Sequence, residues 1–216
     1  MKLGVLLLVC VVAVGLAVSA SASVTSIGGP LYNGWNLLAV PGVPINPAPT
    51  SVFPSGLRVD GYLYRWDAAT QSQINYDEWS PDIWGNMLLG EGYWLSVDTT
   101  VATSYSCSGL NDTDSMDIWI SLPKSGFTMI GNPFSYNFPW ENAKVTDGNV
   151  TVSMEVAAKT NNWLQSIAWG WDSPTQSQFD MGIPADWPTE DFLRAGNGYW
   201  IVSYQDKLAL ILEAIP

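Results

Sequence analysis

Residues 89–97 read LGEGYWLSV, and residues 195–203 read AGNGYWIVS. Each writes Gly-x-Gly-Tyr-Trp-aliphatic ahead of a strand-like run. Other landmarks recur around them in the same order. Gly34-Trp35-Asn36-Leu37-Leu38-Ala39-Val40-Pro41 returns as Gly126-Phe127-Thr128-Met129-Ile130-Gly131-Asn132-Pro133, and Trp66-Asp67-Ala68-Ala69-Thr70-Gln71-Ser72-Gln73 as Trp171-Asp172-Ser173-Pro174-Thr175-Gln176-Ser177-Gln178. The offsets are 92 for the first pair, 105 for the second and 106 for Gly90 to Gly196, so the second copy carries about 13 more residues between its first two landmarks. Fixed order at a near-fixed period is the mark of a tandem duplication.

The repeated pieces are short, rich in aromatic and branched residues, and bounded by Gly, Pro, Asn and Asp, which predicts strands. They cover 35–40, 62–66, 93–97, 127–130, 166–171 and 199–204, joined by an alternating strand at 117–122 and an apolar one at 208–215. Only 153–165, inside the extra length of the second copy, has the composition of a short helix. The expected fold is all-β and mainly antiparallel, as two tandem sandwich- or barrel-like units. The first spans 23–105 and the second 106–216, with the junction in the Ser-, Thr-, Asn- and Gly-rich stretch 103–113. Alternation sends Tyr93, Leu95 and Val97 to one face of their strand and Trp94 with Ser96 to the other. The Gly-x-Gly pairs then serve backbone geometry at the entry to a closing core strand.

Residues 1–22 read as a secretory signal peptide. Lys2 precedes an apolar run from Gly4 to Val18, and small residues follow to Ser23. Export to the medium or the cell surface is expected, with no membrane span left after cleavage. Without Cys10 in that run, Cys107 is the single thiol, so packing must stabilise the chain unless Cys107 pairs between chains. The 8 basic against 20 acidic side chains give a net charge of -12, which argues against nucleic acid or an anionic membrane as partner.

There is no histidine, which removes Ser-His-Asp and Cys-His catalysis and most zinc sites. No Gly-rich phosphate loop is present either. Asp67 and Asp172 recur after a Trp, but repetition of one acid in two related units suits a turn better than a catalytic pair. Asp112, Asp114 and Asp117 lack the glycine and distal glutamate of a calcium loop. No catalytic residue, metal or cofactor is expected. Asn111-Asp112-Thr113 and Asn149-Val150-Thr151 are glycosylation-type sequons.

The opening Gly-Trp-Asn-Leu-Leu-Ala-Val-Pro, the middle Tyr-Arg-Trp-Asp and the closing Gly-x-Gly-Tyr-Trp-Leu resemble a repeat unit of secreted and cell-surface bacterial and archaeal proteins, written around GWNL(I/V)xxP and GxGYW(V/L). The resemblance covers most of the mature chain in two passes. It implies a β-rich extracellular module and carries over no catalytic residue.

The irregular loops before each Gly-Tyr-Trp strand place Trp beside acids and Pro: Asp77, Trp79, Asp82 and Trp84 in the first copy, Asp186 and Trp187 in the second. Indole faces and carboxylates suit a sugar, whose C–H face stacks on an aromatic ring. The alternative is that these indoles fold back to cap a small core. Two functional expectations follow. One is a non-catalytic structural or adhesive protein that touches copies of itself, in the limit as an extracellular polymer. The other is a glycan-binding module working through the Trp loops.

Overall fold

The computed structural model describes residues 23–98, 100, 103–186 and 188–215. The signal-like segment 1–22 and Trp187 lie outside the described residues. The protein is all-β and mostly antiparallel. In the first unit β1 (Val24–Pro30), β2 (Gly34–Leu38), β3 (Val43–Pro44), β4 (Leu63–Asp67), β5 (Ser72–Asn75), β6 (Tyr93–Val97) and β7 (Ser104–Leu110) form two sheets, ordered β1-β7-β3 and β2-β6-β4-β5. The second unit has β8 (Ile118–Leu122), β9 (Gly126–Gly131), β10 (Phe138–Pro139), β11 (Lys144–Thr146), β12 (Thr151–Ser153), β13 (Ile167–Asp172), β14 (Ser177–Gly182), β15 (Phe192–Leu193), β16 (Gly198–Ser203) and β17 (Leu208–Leu212). Its main sheets run β12-β11-β17-β8 and β14-β13-β16-β9, with β10 and β15 pairing separately.

The two units share one plan. The first strand pairs with the last (β1 with β7, β8 with β17) in an outer sheet, and the repeated landmarks build the inner sheet. The stretch expected as a junction therefore contains β7, which pairs along the whole of β1. Its sequence, Ser-Tyr-Ser-Cys-Ser-Gly-Leu, reads as a linker because little of it is apolar. Gly109 is small for a reason: a Cβ there would lie 2.2 Å from Ile27 Cδ1. Cys107 is half-buried on this strand, and burial pushes its thiol pKa up.

Strand alternation places the core as expected. Tyr93, Leu95 and Val97 are buried while Trp94 and Ser96 are half-buried, and Tyr199 and Ile201 match them in the second unit. The first core lies between these residues and Ile27 and Tyr105 of the outer sheet. The second gathers Ile130, Tyr199 and Ile201 against Leu122, Val145 and Leu210, and the extra length of the second copy adds Trp140, Met154 and Trp163. The apolar C-terminal strand β17 sits inside its sheet, paired with β11 on one side and β8 on the other. The helix expected within 153–165 is one π turn, Val156–Thr160. The first unit also has two helical turns that were not expected, α1 (Pro49–Val52) and α2 (Pro81–Trp84), each opened by a proline whose missing N–H costs a helix start nothing. Among the described residues no helix is long and apolar enough to cross a membrane.

Candidate binding site: two aromatic clefts on a pseudo-two-fold seam

The inner sheets of the two units meet, and the repeated motifs explain how. Strand β2 is the edge of its sheet, as β9 is of the other, and an open edge invites unwanted pairing. Each edge is closed by the hairpin of the opposite unit. Gln176 Oε1 accepts from the Trp35 N–H at 2.8 Å, and its Nε2 donates to the Trp35 carbonyl at 2.9 Å. Gln71 does the same to Phe127, at 2.8 and 2.9 Å. The glutamine amide thus copies one rung of a β-ladder. Trp171 Nε1 adds a bond to the Trp35 carbonyl, and Trp66 Nε1 one to the Phe127 carbonyl, at 2.9 and 2.8 Å.

Glycine at the start of each opening motif is what lets this clasp close. A Cβ at Gly34 would lie 2.4 Å from Gln176 Oε1, and one at Gly126 would lie 2.2 Å from Gln71 Oε1. The hairpin is held from the other end by its aspartate. Asp67 Oδ1 accepts from the Ala69 N–H at 2.9 Å and Oδ2 from the Thr70 hydroxyl at 2.7 Å, while Asp172 accepts from the Thr175 hydroxyl. These are the side-chain turns expected of Asp-x-x-Thr. Replacing both Gln71 and Gln176 with alanine is expected to lower stability by about 2 kcal/mol, at roughly 1 kcal/mol for each clasp, read from chemical denaturation.

The Gly-x-Gly segments close the middle of the seam. Leu38 bridges Asn197, and Glu91 bridges Ile130; Ala39 N–H donates to the Gly196 carbonyl and Gly131 N–H to the Gly90 carbonyl, both at 2.8 Å. A Cβ on Gly92 would approach Ile130 O to 2.6 Å and Gly198 Cα to 3.3 Å. Gly-x-Gly therefore serves contact between units as well as entry into a strand. Tyr93 and Tyr199 stabilise these loops equivalently, each hydroxyl accepting from a backbone N–H five residues earlier, Leu88 or Arg194, at 2.6 Å.

The rings left on the seam form two related clefts. Trp35, Tyr64, Trp94, Trp171 and Gln73 line one of about 290 Å³; Phe127, Trp169, Trp200, Trp66 and Gln178 line the other, of about 460 Å³. The geometry repeats closely. Trp94 and Trp171 meet edge-to-face at 5.4 Å, Trp66 and Trp200 at 5.2 Å. Trp35 and Trp94 cross at 88° and 6.1 Å, Phe127 and Trp200 at 88° and 6.0 Å. Each cleft draws on both units, is lined by no Asp, Glu, Lys or Arg, and carries one exposed glutamine. Trp35 and Phe127 are the most open rings, at 41% and 47% exposure.

The described residues of the Trp loops differ in their surroundings. Trp84 is buried at 1% exposure, packed edge-to-face against Tyr76 and tilted against Tyr93, with Arg65 reaching its carbonyl at 2.6 Å. Trp79 stands out at 85% exposure; Asp77 accepts from its N–H, and Asp82 lies exposed in the first turn of α2. Asp186 pairs with Lys159 at 2.8 Å, and that contact holds its carboxyl pKa down. Among the described residues of these loops, Trp84 belongs to the core and Trp79 to the surface. The clefts use other aromatics, which strand alternation assigns to the non-core face without showing what faces them.

Acidity acts on the seam in two directions. The Thr70 and Thr175 hydroxyls are the largest cause holding Asp67 and Asp172 below the ordinary 3.8. A carboxyl depressed in the folded state adds stability above its unfolded pKa and loses it as pH falls through the folded value. Burial instead raises the Glu91 pKa, against the pull of Arg65, so its contribution is present at low pH and lost as pH rises through the folded value. The Asp67→Asn, Asp172→Asn double variant is thus expected to flatten the fall in melting temperature below about pH 4, checked by thermal scans from neutral to acid pH.

No protein-family model, curated protein or solved structure matches this chain significantly.

Proposed function

We propose that this chain is a secreted or cell-surface, non-catalytic contact protein that holds glycan chains in the two seam clefts. One observation carries the reading: two equivalent clefts, each with four aromatic rings, a glutamine and no charge, stay open where the two units meet. Ring faces stack on the C–H faces of pyranoses, and a primary amide both donates to and accepts from hydroxyls. The absence of charge from the linings favours neutral sugars. The duplicated site favours long polymers, because two linked engagements raise avidity without new contacts. The signal-like segment and the repeat resemblance support an extracellular setting.

Affinity electrophoresis through gels containing laminarin, xyloglucan, mannan or soluble chitin fragments tests the reading. Retention by at least one polymer is expected, insensitive to added salt because no ion pair is formed. Trp35→Ala with Phe127→Ala, which leaves the backbone clasp in place, should weaken it at least tenfold. Free migration through all four gels overturns the glycan reading. The second reading, adhesion between copies, loses one argument because the apolar strand β17 has a partner strand within the chain on each side. Light scattering that shows concentration-dependent polymers would restore it.

A further inference from the structure

The pseudo-symmetry of the seam breaks at one place. Leu89, just ahead of the first Gly-x-Gly, packs onto the second core, and the position a Cβ would take on Gly90 is 2.8 Å from Ile120. The repeat puts Ala195 where the first copy has Leu89. On that side the cavity is walled by β1, where Thr25, Ser26, Gly28 and Gly29 flank the one buried Ile27, whereas β8 buries both Ile118 and Ile120. What is filled on one side of the seam is open on the other, as a cavity of about 430 Å³. That volume falls within the roughly 300–1,000 Å³ of small-molecule sites.

The lining has a definite chemistry. Thr25 brings a hydroxyl and Asn111 and Asn197 bring amides, while the Ser26 hydroxyl is bonded to that of Ser106 and the Ser135 hydroxyl donates to Asp114, keeping only acceptor capacity for a ligand. Tyr32 offers a ring at 38% exposure. Arg194 also lines the cavity, but its guanidinium is already engaged by both Glu190 oxygens and by Asp172 at 3.2 Å. Two carboxylates about one guanidinium leave a local charge of about -1 when all three are ionised, which repels anions. Hydroxyls, amides, one open ring and no available cation together suit an uncharged polyhydroxylated molecule. The geometry assigns this cavity as a separate binding site for a neutral mono- or disaccharide, present on one side of the seam only.

Ala195→Leu and Tyr32→Ala test the assignment on the full mature chain. The first copies the side chain that the same fold holds at residue 89, and the second removes the ring without touching the core. The probes are glucose, galactose, mannose, cellobiose and lactose, with glucuronic acid as the anionic control, read by saturation-transfer NMR and calorimetric titration. At least one neutral sugar should bind the natural chain. Ala195→Leu should weaken it tenfold or more with a melting temperature within a few degrees of the natural chain, and Tyr32→Ala should weaken it several-fold. Polysaccharide retention by Ala195→Leu should be unchanged, which separates this cavity from the clefts. The assignment is overturned if none of the neutral sugars binds, if glucuronic acid binds as well as they do, or if a correctly folded Ala195→Leu chain binds like the natural one. A natural chain that binds a neutral sugar but is retained by no polysaccharide would count against the cleft reading alone.

Discussion

Gly131→Ala is expected to destabilise the protein by about 3 kcal/mol or more, the upper end of the cost of overpacking. A Cβ at this position would lie 2.3 Å from Ala39 Cβ and 2.5 Å from the Glu91 carbonyl oxygen. Both obstacles are fixed: one is a short side chain on the opposite unit, the other a backbone atom of the bridge to Ile130. Neither can rotate away, so the strand ends must part. For a chain of this size the melting temperature should fall by about 6–12 °C, measured by calorimetry. Gly29→Ala is the control, since a Cβ there meets only a Tyr105 ring carbon at 3.8 Å. Equal behaviour of the two variants would show that the seam gives way more easily than its distances imply.

Trp84→Ala is expected to cost about 3–5 kcal/mol, the range for emptying an aromatic core site. Its indole is 1% exposed, packs on Tyr76 and Tyr93, and lies 5.7 Å beneath the Arg65 guanidinium. Trp79→Ala, five residues away in the same acid-rich loop, should change stability by no more than about 0.5 kcal/mol because its ring stands in solvent. Urea denaturation of the two variants separates them. A small loss at Trp84 would mean that the core collapses around the gap.

That contrast marks where sequence reading ends. Trp79 and Trp84 sit in one stretch with the same neighbours, and nothing local tells which ring turns inward. The inward turn depends on α2, a single turn whose buried end is set by packing against β4 and β6. Periodicity, by contrast, made the inner strands legible. The Tyr-Trp-Leu-Ser-Val run alternates, and the structure buries Tyr93, Leu95 and Val97 as alternation requires. Strand β7 was hidden because its core face holds a tyrosine, a thiol and a glycine in place of branched aliphatics. The clefts were hidden for a different reason. Trp94 and Trp171 come from different copies, 77 residues apart, and meet only because the Gln clasps and the Gly-x-Gly bridges set one inner sheet against the other. The duplication itself held the clue, since Gly34, Trp66 and Gln71 recur together at Gly126, Trp171 and Gln176.

The reciprocal clasp also limits how the two copies can drift apart. Each unit carries both halves of a self-complementary patch, the glycine that is gripped and the glutamine that grips, as a symmetric dimer does. A side chain in place of the glycine of one copy fits only if the glutamine of the other yields, so along the seam the two halves are constrained as one unit. The outer layers carry no such obligation. It is there that the second copy has accepted its added length, its extra strand β12 and its own π turn, while the Trp-Asp hairpin and the Gly-x-Gly-Tyr-Trp strand have kept their spacing to within one residue.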